Sequence, residues 1–475
     1  MGEEILRSLG PQEQNPRPGN QGFSPIRLVD LEIGQPIPGI PVEISQSGKP
    51  YLHARILVRL HGQPLGVLDF SLSPDGIRGD ELAEAIWSEF SPEIRSHLEA
   101  DGCPLTSYLT PSGVICAVQP ACKAELAGFL AAAPPVSVVI ATHNRTGSLA
   151  ETLASLMRVA YPSFEIIVVD NAPATEETAR FIQRNYPKAA VKYVREEYAG
   201  LAAAHNAGLV EVTAPYAVFT DDDVLLDRNW LAYLVKGFYT SGRVACVTGM
   251  IFPAEIETEA QEWIEQYGGF SKGFSSRIFD RDEHRIDSPL FPYAAGWFGS
   301  GASMAFRTDY LKSVGGFDPA TGAGTPAQGG DDLSAFFQVV NTGSQLVYEP
   351  RSLLFHKHRR EYQGLRRQAY GYGVGLTAYL TKTVLDRPSN LLAFAARLPT
   401  GLAYLLSSKS KKNRKKQTDY PGELNRLERQ GMLFGPIAYL RSRSRAKKAG
   451  QYVFRDPSGS ARREFAEFNP DERAD

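Results

Sequence analysis

The chain has 475 residues, of which 43% are hydrophobic and 22% are charged. This composition is that of a soluble globular protein, which excludes a disordered or fibrous chain, and the length predicts about two to three domains. The net charge of −2 hides an asymmetry, because residues 409–450 carry 13 Lys and Arg against 3 Asp and Glu, whereas residues 1–408 carry 34 against 44. A basic tail on an acidic body predicts an anionic partner for the tail.

The N-terminal 25 residues are rich in Gly, Pro, Gln and Asn and are predicted to be disordered. They contain no apolar stretch typical of a secretory signal. Leu6 stands where N-myristoylation at Gly2 needs Ser or Thr. No window of 18 uninterrupted apolar residues occurs, so no transmembrane helix is expected.

Residues 26–132 are predicted to form a small α+β domain of unknown role. A strand, a tight turn at HGQPLG and a returning strand come first. An amphipathic helix follows, with apolar residues at four-residue steps from Leu82 to Leu98, and Pro92 is expected to interrupt it.

The histidines and cysteines of this segment do not suggest a site. The histidines are too scattered in sequence to predict metal ligands; they are His53, His61 and His97. The cysteines of the whole chain form no CxxC pair and have no histidine at zinc-binding spacing; they are Cys103, Cys116, Cys122 and Cys246. We expect free thiols in a reducing compartment.

From residue 133 the pattern changes to apolar runs that alternate with helical segments. The predicted strands are VSVVIA, FEIIVVD, AVKYVRE and YAVFT, separated by three helices of 10–13 residues. This alternation is typical of a parallel α/β sheet, in which ligands bind outside the carboxyl ends of the strands. Because THNR, DNA and DDD each follow a strand, one polar rim is predicted.

Asp221, Asp222 and Asp223 follow the fourth predicted strand and would repel one another when ionised. On an extended segment Asp221 and Asp223 point to the same side. Mg²⁺ or Mn²⁺ with a diphosphate would neutralise them. A solvated acidic loop is the alternative interpretation.

Two further segments at the rim suit a nucleotide. Asp170 can accept hydrogen bonds from a base or a ribose, or it can cap the following helix. The small residues of GLAAAHNAGL allow close approach of an anion to a helix N-terminus, or they allow tight helix packing.

These segments resemble the nucleotide-binding half of the family 2 glycosyltransferases, the inverting group with a GT-A fold. The matching segments, in family order, are VSVVIATHNR, EIIVVDNA, GLAAAHNAGL and FTDDDVL. The similarity continues at residues 299–318 and in GGDDLSAFF, so that it covers about 135–380. It implies a GT-A type nucleotide-diphospho-sugar transferase domain at 133–385, a mostly parallel sheet flanked by helices, followed by a helical, basic region at 386–475.

The resemblance also implies roles for individual residues. The nucleotide-sugar donor would be bound by Thr142, Asn144, Arg145, Asp170, Gly200, His205, Asn206, Asp221 and Asp222. The Mn²⁺ or Mg²⁺ cofactor would be held by Asp223, Asp221 and His356, with His358 as a substitute for His356. The acceptor side would include Trp297, Gly299, Ser300 and Gly301. Asp332 would be the catalytic base, and Asp331 replaces the usual Glu beside it.

Departures from the family pattern affect these assignments. Members often carry Arg where this chain has His205, so pairing with the diphosphate is expected to be weaker or pH-dependent. The Gln-x-x-Arg-Trp signature of processive synthases is absent, which argues against polymer extrusion. Asp331 and Asp332 could instead cap a helix, and Trp297 could stack on an acceptor sugar or belong to the core.

The sequence therefore predicts a metal-dependent inverting transfer of one sugar to a glycan, lipid-linked or small-molecule acceptor, with UDP as the first choice of nucleotide. Such a reaction belongs to processes such as polysaccharide biosynthesis. A sugar-nucleotidyltransferase would need a Gly-rich loop bearing Arg and Lys where ATHNRTGS stands. A nucleotide-sugar-binding protein without catalysis would not need both DDD and GGDD.

The segment 391–406 is apolar, but Arg397 and Pro399 make it too polar and too short to span a bilayer. KSKKNRKK follows within three residues, and this combination is typical of an interfacial anchor on anionic lipid. A helix packed on the catalytic domain, followed by solvated charges, is the alternative. Nucleic-acid binding is not expected, because the run lacks interleaved aromatic residues. We expect a cytoplasmic protein that lies peripherally on the inner face of the membrane.

Overall fold

The computed structural model describes residues 23–186, 191–407 and 419–455, together with Ser410, Asn413, Lys416 and residues 462–464. The first 22 residues, most of the segment for which disorder is predicted, lie outside this range. No helix of the described residues is long and apolar enough to cross a membrane.

The N-terminal unit, residues 23–131, contains a small sheet and two helices. Its elements are β1 (Ile26–Glu32), β2 (His53–Leu60), β3 (Gln63–Ser71), α1 (Gly79–Ala100) and α2 (Ala121–Ala131). β2 pairs in parallel with β1 and antiparallel with β3, which confirms the predicted strand, turn and returning strand.

Pro92 lies inside α1 without ending it, so the predicted interruption is wrong. The apolar face continues on both sides of the proline, with Phe90 and Ile94 both buried. Burying a large apolar side chain contributes about 1.5–3 kcal/mol. Two such side chains outweigh the cost of about 3 kcal/mol for an interior proline.

The N-terminal unit is fixed to the rest of the protein by polar contacts. The guanidinium of Arg59 on β2 lies 2.9 Å from both Asp30 and Asp227. The Ile26 backbone N–H donates to the Ile256 carbonyl over 2.9 Å. These contacts join sequence segments about 200 residues apart and set the orientation of the small sheet.

The first half of the central sheet has the predicted parallel topology. Its elements are β4 (Val136–Thr142), α3 (Thr146–Leu156), β5 (Phe164–Asn171), α4 (Glu177–Asn185), β6 (Val191–Glu196), α5 (Leu201–Glu211) and β7 (Tyr216–Asp221). The four strands lie in the order β6-β5-β4-β7, with every pair parallel. Every residue of β4 is buried, because helices cover both faces of the sheet.

The second half of the sheet mixes strand directions. Its elements are β8 (Val224–Leu226), α6 (Trp230–Lys236), β9 (Val244–Pro253), α7 (Glu259–Tyr267), β10 (Arg277–Phe279), β11 (Ser303–Arg307), α8 (Thr308–Ser313), α9 (Asp331–Asn341) and β12 (Gln345–His356), with short 3-10 turns at Gly237–Thr240 and Ala295–Trp297. β11 lies antiparallel between β7 and β9, and β12 lies parallel to β9. β8 and β10 pair antiparallel with β12. The result is a mixed α/β sheet flanked by helices.

The C-terminal region is helical. It contains α10 (Tyr362–Asp386), α11 (Asn390–Leu406) and α12 (Gly422–Lys448), followed by an antiparallel pair, β13 (Val453–Arg455) and β14 (Arg462–Glu464). Glycines let α10 and α12 approach closely, since a Cβ on Gly373 would lie 1.9 Å from the Glu428 carbonyl oxygen and one on Gly431 would lie 2.2 Å from that of Tyr370. Most of KSKKNRKK lies outside the described residues.

Candidate active site

The carboxyl ends of β4, β5 and β7 lie side by side at one edge of the central sheet. β4 pairs in parallel with both neighbours, so Thr142 lies opposite Asp170 and Ala141 lies opposite Asp221. The structure thus brings together the polar segments that follow these three strands. Ligands of open α/β sheets bind at this edge.

Asp221, Asp222 and Asp223 are enclosed by the protein. Asp222 is fully buried and Asp223 is 7% exposed, so the solvated-loop alternative is wrong. Thr142 Oγ1 donates to Asp222 Oδ2 over 2.6 Å. The Arg145 guanidinium lies 2.5 Å from Asp222 Oδ1 and 2.7 Å from Asp223 Oδ2. One planar cation therefore orients two carboxylates.

The remaining oxygen of Asp223 faces His356. Asp223 Oδ1 lies 3.3 Å from His356 Nε2, and one ligand atom from each of Asp221, Asp223 and His356 lies within 4.8 Å of the other two. Two carboxylates and an imidazole suit Mn²⁺ well, since imidazole binds transition metals and carboxylate suits Mn²⁺ or Mg²⁺. The residues present therefore fit a divalent ion.

His356 is the better placed of the two predicted histidine ligands. Burial lowers the pKa of His356 to about 4, so the imidazole is neutral at pH 7 and its nitrogen lone pair can coordinate a cation. His358 Nε2 lies 2.9 Å from Glu265 Oε1 and its Nδ1 lies 3.2 Å from His356 Nδ1. His358 thus stands behind His356, where it can fix the orientation of that ring.

The aspartates of the triplet differ in their titration. Burial raises the pKa of Asp221 well above its ordinary value, and the charges of Asp223 and Asp222 raise it further. Burial also raises the pKa of Asp222 to about 6, although Arg145 and the Thr142 hydroxyl oppose this shift. A bound cation would relieve the repulsion and favour the ionised form of Asp221.

A cavity of about 680 Å³ opens beside the triplet, and its walls consist mainly of apolar side chains and glycines. Asp221 lines it from β7, and Asp331 and Asp332 line it from the start of α9. All four predicted acceptor-side residues also line it, namely Trp297, Gly299, Ser300 and Gly301. Asp221 therefore belongs both to the metal-ligating cluster and to the cavity.

Asp332 is held by the backbone around it. Its Oδ2 accepts a hydrogen bond from the Gly301 N–H over 3.0 Å and its Oδ1 accepts one from the Leu333 N–H over 2.7 Å. α9 begins at Asp331, and the cap position is Gly330, at φ 87°, so neither aspartate is the helix cap.

Burial, together with the charge of Asp332, raises the pKa of Asp331 to about 7. Burial also raises the pKa of Asp332, against the hydrogen bonds from Leu333 and Gly301 and the charge of Lys272. Both carboxyls therefore have pKa values above the ordinary range of aspartate, which suits a general base that works near neutral pH.

His205 does not act as a charged substitute for the family arginine. It is 1% exposed and packs against the rings of Phe219 and Phe317 at centroid distances of 5.1 and 5.0 Å. Burial lowers the pKa of His205 to about 3. The ring is therefore neutral near pH 7, which argues against pH-dependent pairing there, and the weaker pairing with the diphosphate stays a prediction.

The other predicted donor-side residues divide into two groups. Asp170 is fully buried, accepts a hydrogen bond from Tyr193 at Oδ2 over 2.9 Å, and leaves Oδ1 without a hydrogen-bond partner among the described residues. Because α4 begins at Glu177, Asp170 is not its cap. Asn144 has φ 53° and accepts from the Ala174 N–H over 2.9 Å, which joins two loops of the rim.

Gly200 and Asn206 hold the backbone of the rim in place. Gly200 has φ 155°, and a Cβ there would lie 2.8 Å from Thr325 Cγ2. Both ends of the Asn206 amide bind the backbone of Phe317, at 2.7 and 2.8 Å. Asn206 is not among the described residues that line the cavity.

Sequence reasoning missed several residues of the site. Asn171 receives a hydrogen bond from the Gly200 N–H over 2.9 Å and donates to the Tyr198 carbonyl over 2.8 Å; its place in the DNA segment was the available signal. Tyr404 on α11 packs edge-on against Trp297 at 6.2 Å. No motif marks α11 as part of the cavity, because only the tertiary fold brings it there.

The mixed α/β sheet flanked by helices, with acidic groups at its strand ends and a cavity beside them, agrees with the GT-A type fold expected from the sequence. Residues 137–308 match the protein-family model described as glycosyl transferase family 2. This range contains three of the four parallel strands in full, nearly all of the fourth, and the aspartate triplet. The match spans about a third of the chain, and over this range the chain is similar to glycosyl transferase family 2.

Individual relatives are similar to this chain over longer ranges. A pre-mycofactocin glycosyltransferase of Mycobacterium tuberculosis is 26% identical over 275 residues, which are 58% of this chain and 52% of the relative. A glucosyl-dolichyl phosphate glucuronosyltransferase of Haloferax volcanii is 22% identical over 251 residues, 50% of this chain and 75% of the relative. The chain thus spans about half the length of the mycobacterial relative.

Among solved structures, the mannosyltransferase PcManGT from Pyrobaculum calidifontis, in complex with GDP-Man and Mn²⁺, is similar to 64% of this chain. The match covers 87% of that protein, with 21% identity and a TM-score of 0.42.

Proposed function

We propose that the chain is a metal-dependent, inverting glycosyltransferase that moves one sugar from a nucleotide sugar to an acceptor hydroxyl. One observation carries the proposal. Asp221 belongs both to the cluster with Asp223 and His356 and to the cavity that Asp331 and Asp332 line. A donor diphosphate and an acceptor hydroxyl can therefore meet in one enclosed space.

The donor side is supported by how the acidic groups are oriented. Arg145 fixes Asp222 and one oxygen of Asp223, which leaves the other oxygen directed at His356. A divalent ion held by Asp221, Asp223 and His356 would stabilise the leaving diphosphate as a Lewis acid. The unpartnered Oδ1 of Asp170 offers an acceptor for an N–H of the base or a ribose hydroxyl.

The acceptor side is supported by Asp332. Backbone N–H groups hold both of its oxygens, so its orientation is fixed before an acceptor arrives. Ionised Asp332 would take the proton of the attacking hydroxyl, which is typically worth about 10²–10⁴-fold in rate. Attack from the face opposite the diphosphate inverts the configuration at the anomeric carbon.

The lining of the cavity favours an acceptor with an apolar part. Trp297, Tyr404 and Leu398 contribute to its wall, and the last two lie on α11. On the same helix Leu392 is 80% exposed. A lipid-linked or amphiphilic acceptor would fill such a cavity, and α11 with the basic segment after it would rest on anionic lipid at the inner face of the membrane.

One relative supports a lipid-linked acceptor. The Haloferax volcanii relative is named for glucosyl-dolichyl phosphate, which is a lipid-linked sugar. UDP is the first choice of donor nucleotide from the family resemblance, and either Mn²⁺ or Mg²⁺ would serve as the divalent cofactor.

The test is release of nucleoside diphosphate from a panel of nucleotide sugars, in Mn²⁺, Mg²⁺ or EDTA, with lipid-linked and soluble glycan acceptors. We expect metal-dependent release with one donor, greater with an amphiphilic acceptor, and loss of release in Asp223→Asn. Asp309→Asn, an exposed aspartate at the start of α8, is the matched control. Metal-dependent binding of a nucleotide sugar without turnover on any acceptor or on water would favour the alternative of a non-catalytic binding protein.

A further inference from the structure

The N-terminal unit gathers a second group of metal-ligating side chains, away from the candidate active site. His61 lies in the turn between β2 and β3, His97 and Asp101 lie at the C-terminal end of α1, and Cys122 lies in the first turn of α2. His61 and Cys122 are 61 positions apart in the sequence. The fold nevertheless brings His61 and His97 into contact, although their sequence spacing did not suggest a shared site.

The four donor atoms converge on one point. Asp101 Oδ2 lies 2.6 Å from His61 Nδ1, 3.0 Å from His97 Nε2 and 3.0 Å from Cys122 Sγ. His61 Nδ1 and His97 Nε2 are 3.2 Å apart. All four donor atoms lie within 4.8 Å of one another. His61, His97 and Asp101 are each at most 9% exposed.

We propose that these four residues hold one zinc-class divalent ion. Two imidazoles, a thiolate and a carboxylate are typical zinc ligands, whereas Mg²⁺ and Ca²⁺ avoid sulfur. Tetrahedral ligands at about 2.0–2.3 Å from zinc lie about 3.3–3.8 Å from one another. The two imidazole nitrogens already have nearly this separation, and a small outward shift of the Asp101 carboxylate would complete the set.

Binding would convert the Cys122 thiol to a thiolate, with its proton released to solvent. The other oxygen of Asp101 accepts a hydrogen bond from the Cys122 N–H over 2.8 Å, which would fix the carboxylate beside the ion. With four protein ligands the site has no open position, so its role is structural. The ion would cross-link the β2–β3 turn, α1 and α2.

Two neighbouring cysteines offer a rival ligand set. Cys116 Sγ lies 3.8 Å from His61 Nε2, and donor atoms of His61, Cys103 and Cys116 also lie within 4.8 Å of one another. This set supplies three ligands where the first supplies four, and three is typical of catalytic rather than structural zinc. A second rival is a metal-free network in which the Asp101 carboxylate accepts hydrogen bonds from both imidazoles and the thiol.

Cobalt(II) distinguishes these arrangements in the full-length chain. A thiolate bound to Co²⁺ gives a charge-transfer band in the near ultraviolet, and the cluster of Asp221, Asp223 and His356 contains no sulfur. After removal of metal, we expect titration with Co²⁺ to produce this band at about one equivalent per chain, and Zn²⁺ to abolish it. Cys122→Ser should lose the band, and Cys246→Ser, a buried thiol on β9, should keep it.

A second measurement does not depend on how the cysteine variant folds. In the Asp223→Asn background, Zn²⁺ should raise the unfolding temperature of the metal-stripped chain, because it binds only the folded state of this site. Absence of both the band and the stabilisation would establish the metal-free network. A band that survives Cys122→Ser but disappears in Cys103→Ser or Cys116→Ser would overturn the ligand set.

Discussion

Replacing Asp331 with Asn should move the acid limb of the pH–rate profile to lower pH without abolishing turnover. The proposed base is Asp332, which must be ionised to accept a proton, so activity falls as the pH drops through the pKa of the pair. Burial raises the pKa of Asp331 to about 7, with a further contribution from Asp332. Burial also raises the pKa of Asp332, so we expect the wild-type acid limb above the pH range of an ordinary aspartate.

The size of the shift follows from the charge that is removed. At an effective dielectric constant of about 20, two unit charges about 4 Å apart interact by about 4 kcal/mol, and about 1.4 kcal/mol corresponds to one pH unit, so the removed charge can move a pKa by more than one unit. Burial is the larger cause of the raised pKa values and is unchanged by the substitution. We therefore expect the acid limb to move down by about one to two pH units.

Other groups around the pair do not produce the same shift. His205 Nδ1 lies 3.7 Å from Asp331 Oδ2 but stays neutral, since burial lowers its pKa to about 3. Lys272 lowers the pKa of Asp332 and remains in the variant. The charge of Asp331 contributes to the raised pKa of Asp221, and a bound metal ion would favour the ionised form of Asp221.

The assay is nucleoside diphosphate release at saturating metal between about pH 5 and pH 9, for wild type, Asp331→Asn and Asp309→Asn. An unchanged acid limb in Asp331→Asn would refute the coupling of the two carboxylates. Complete inactivity of Asp331→Asn, with residual activity in Asp332→Asn, would reverse the two roles.

Three further predictions concern the metal cluster, the helix packing and the tail. Arg145→Lys should weaken the apparent affinity for Mn²⁺ in turnover by about 10–100-fold, because lysine cannot orient two carboxylates at once, whereas Arg158→Lys on the surface should not. Gly431→Ala should lower the free energy of unfolding by about 1–3 kcal/mol in a denaturant titration, whereas Gly422→Ala, where a Cβ meets nothing within 4 Å, should change it little. Replacing the Lys and Arg residues of 409–416 with Gln should reduce co-sedimentation with anionic liposomes but not with neutral ones; equal behaviour on both would contradict the anchor.

The parallel half of the sheet could be read from the sequence because its signals are local. VSVVIA is apolar at every position but one, and that pattern fits a strand buried on both faces, as β4 is. The rim was also predictable from local signals, because THNR, DNA and DDD each follow directly after a strand. The prediction that Pro92 interrupts α1 failed, because burial of the apolar residues around it stabilises the helix more than the proline destabilises it.

The rest depends on contacts between distant segments. β11 enters the sheet antiparallel between β7 and β9, and no local pattern distinguishes that placement from a hairpin. The protonation of His205 depends on burial against Phe219 and Phe317, which sequence spacing does not reveal. The cavity wall formed by α11 likewise depends on how the C-terminal helices pack.

The most direct test of the roles proposed for Asp223 and Asp332 measures nucleotide-sugar binding and turnover in one variant of each residue. We expect Asp223→Asn to lose metal-dependent binding and turnover together. We expect Asp332→Asn to keep metal-dependent binding while turnover falls by about 10²–10⁴-fold. Full turnover in Asp332→Asn, or metal-dependent binding that survives unchanged in Asp223→Asn, would show that these roles are wrongly assigned.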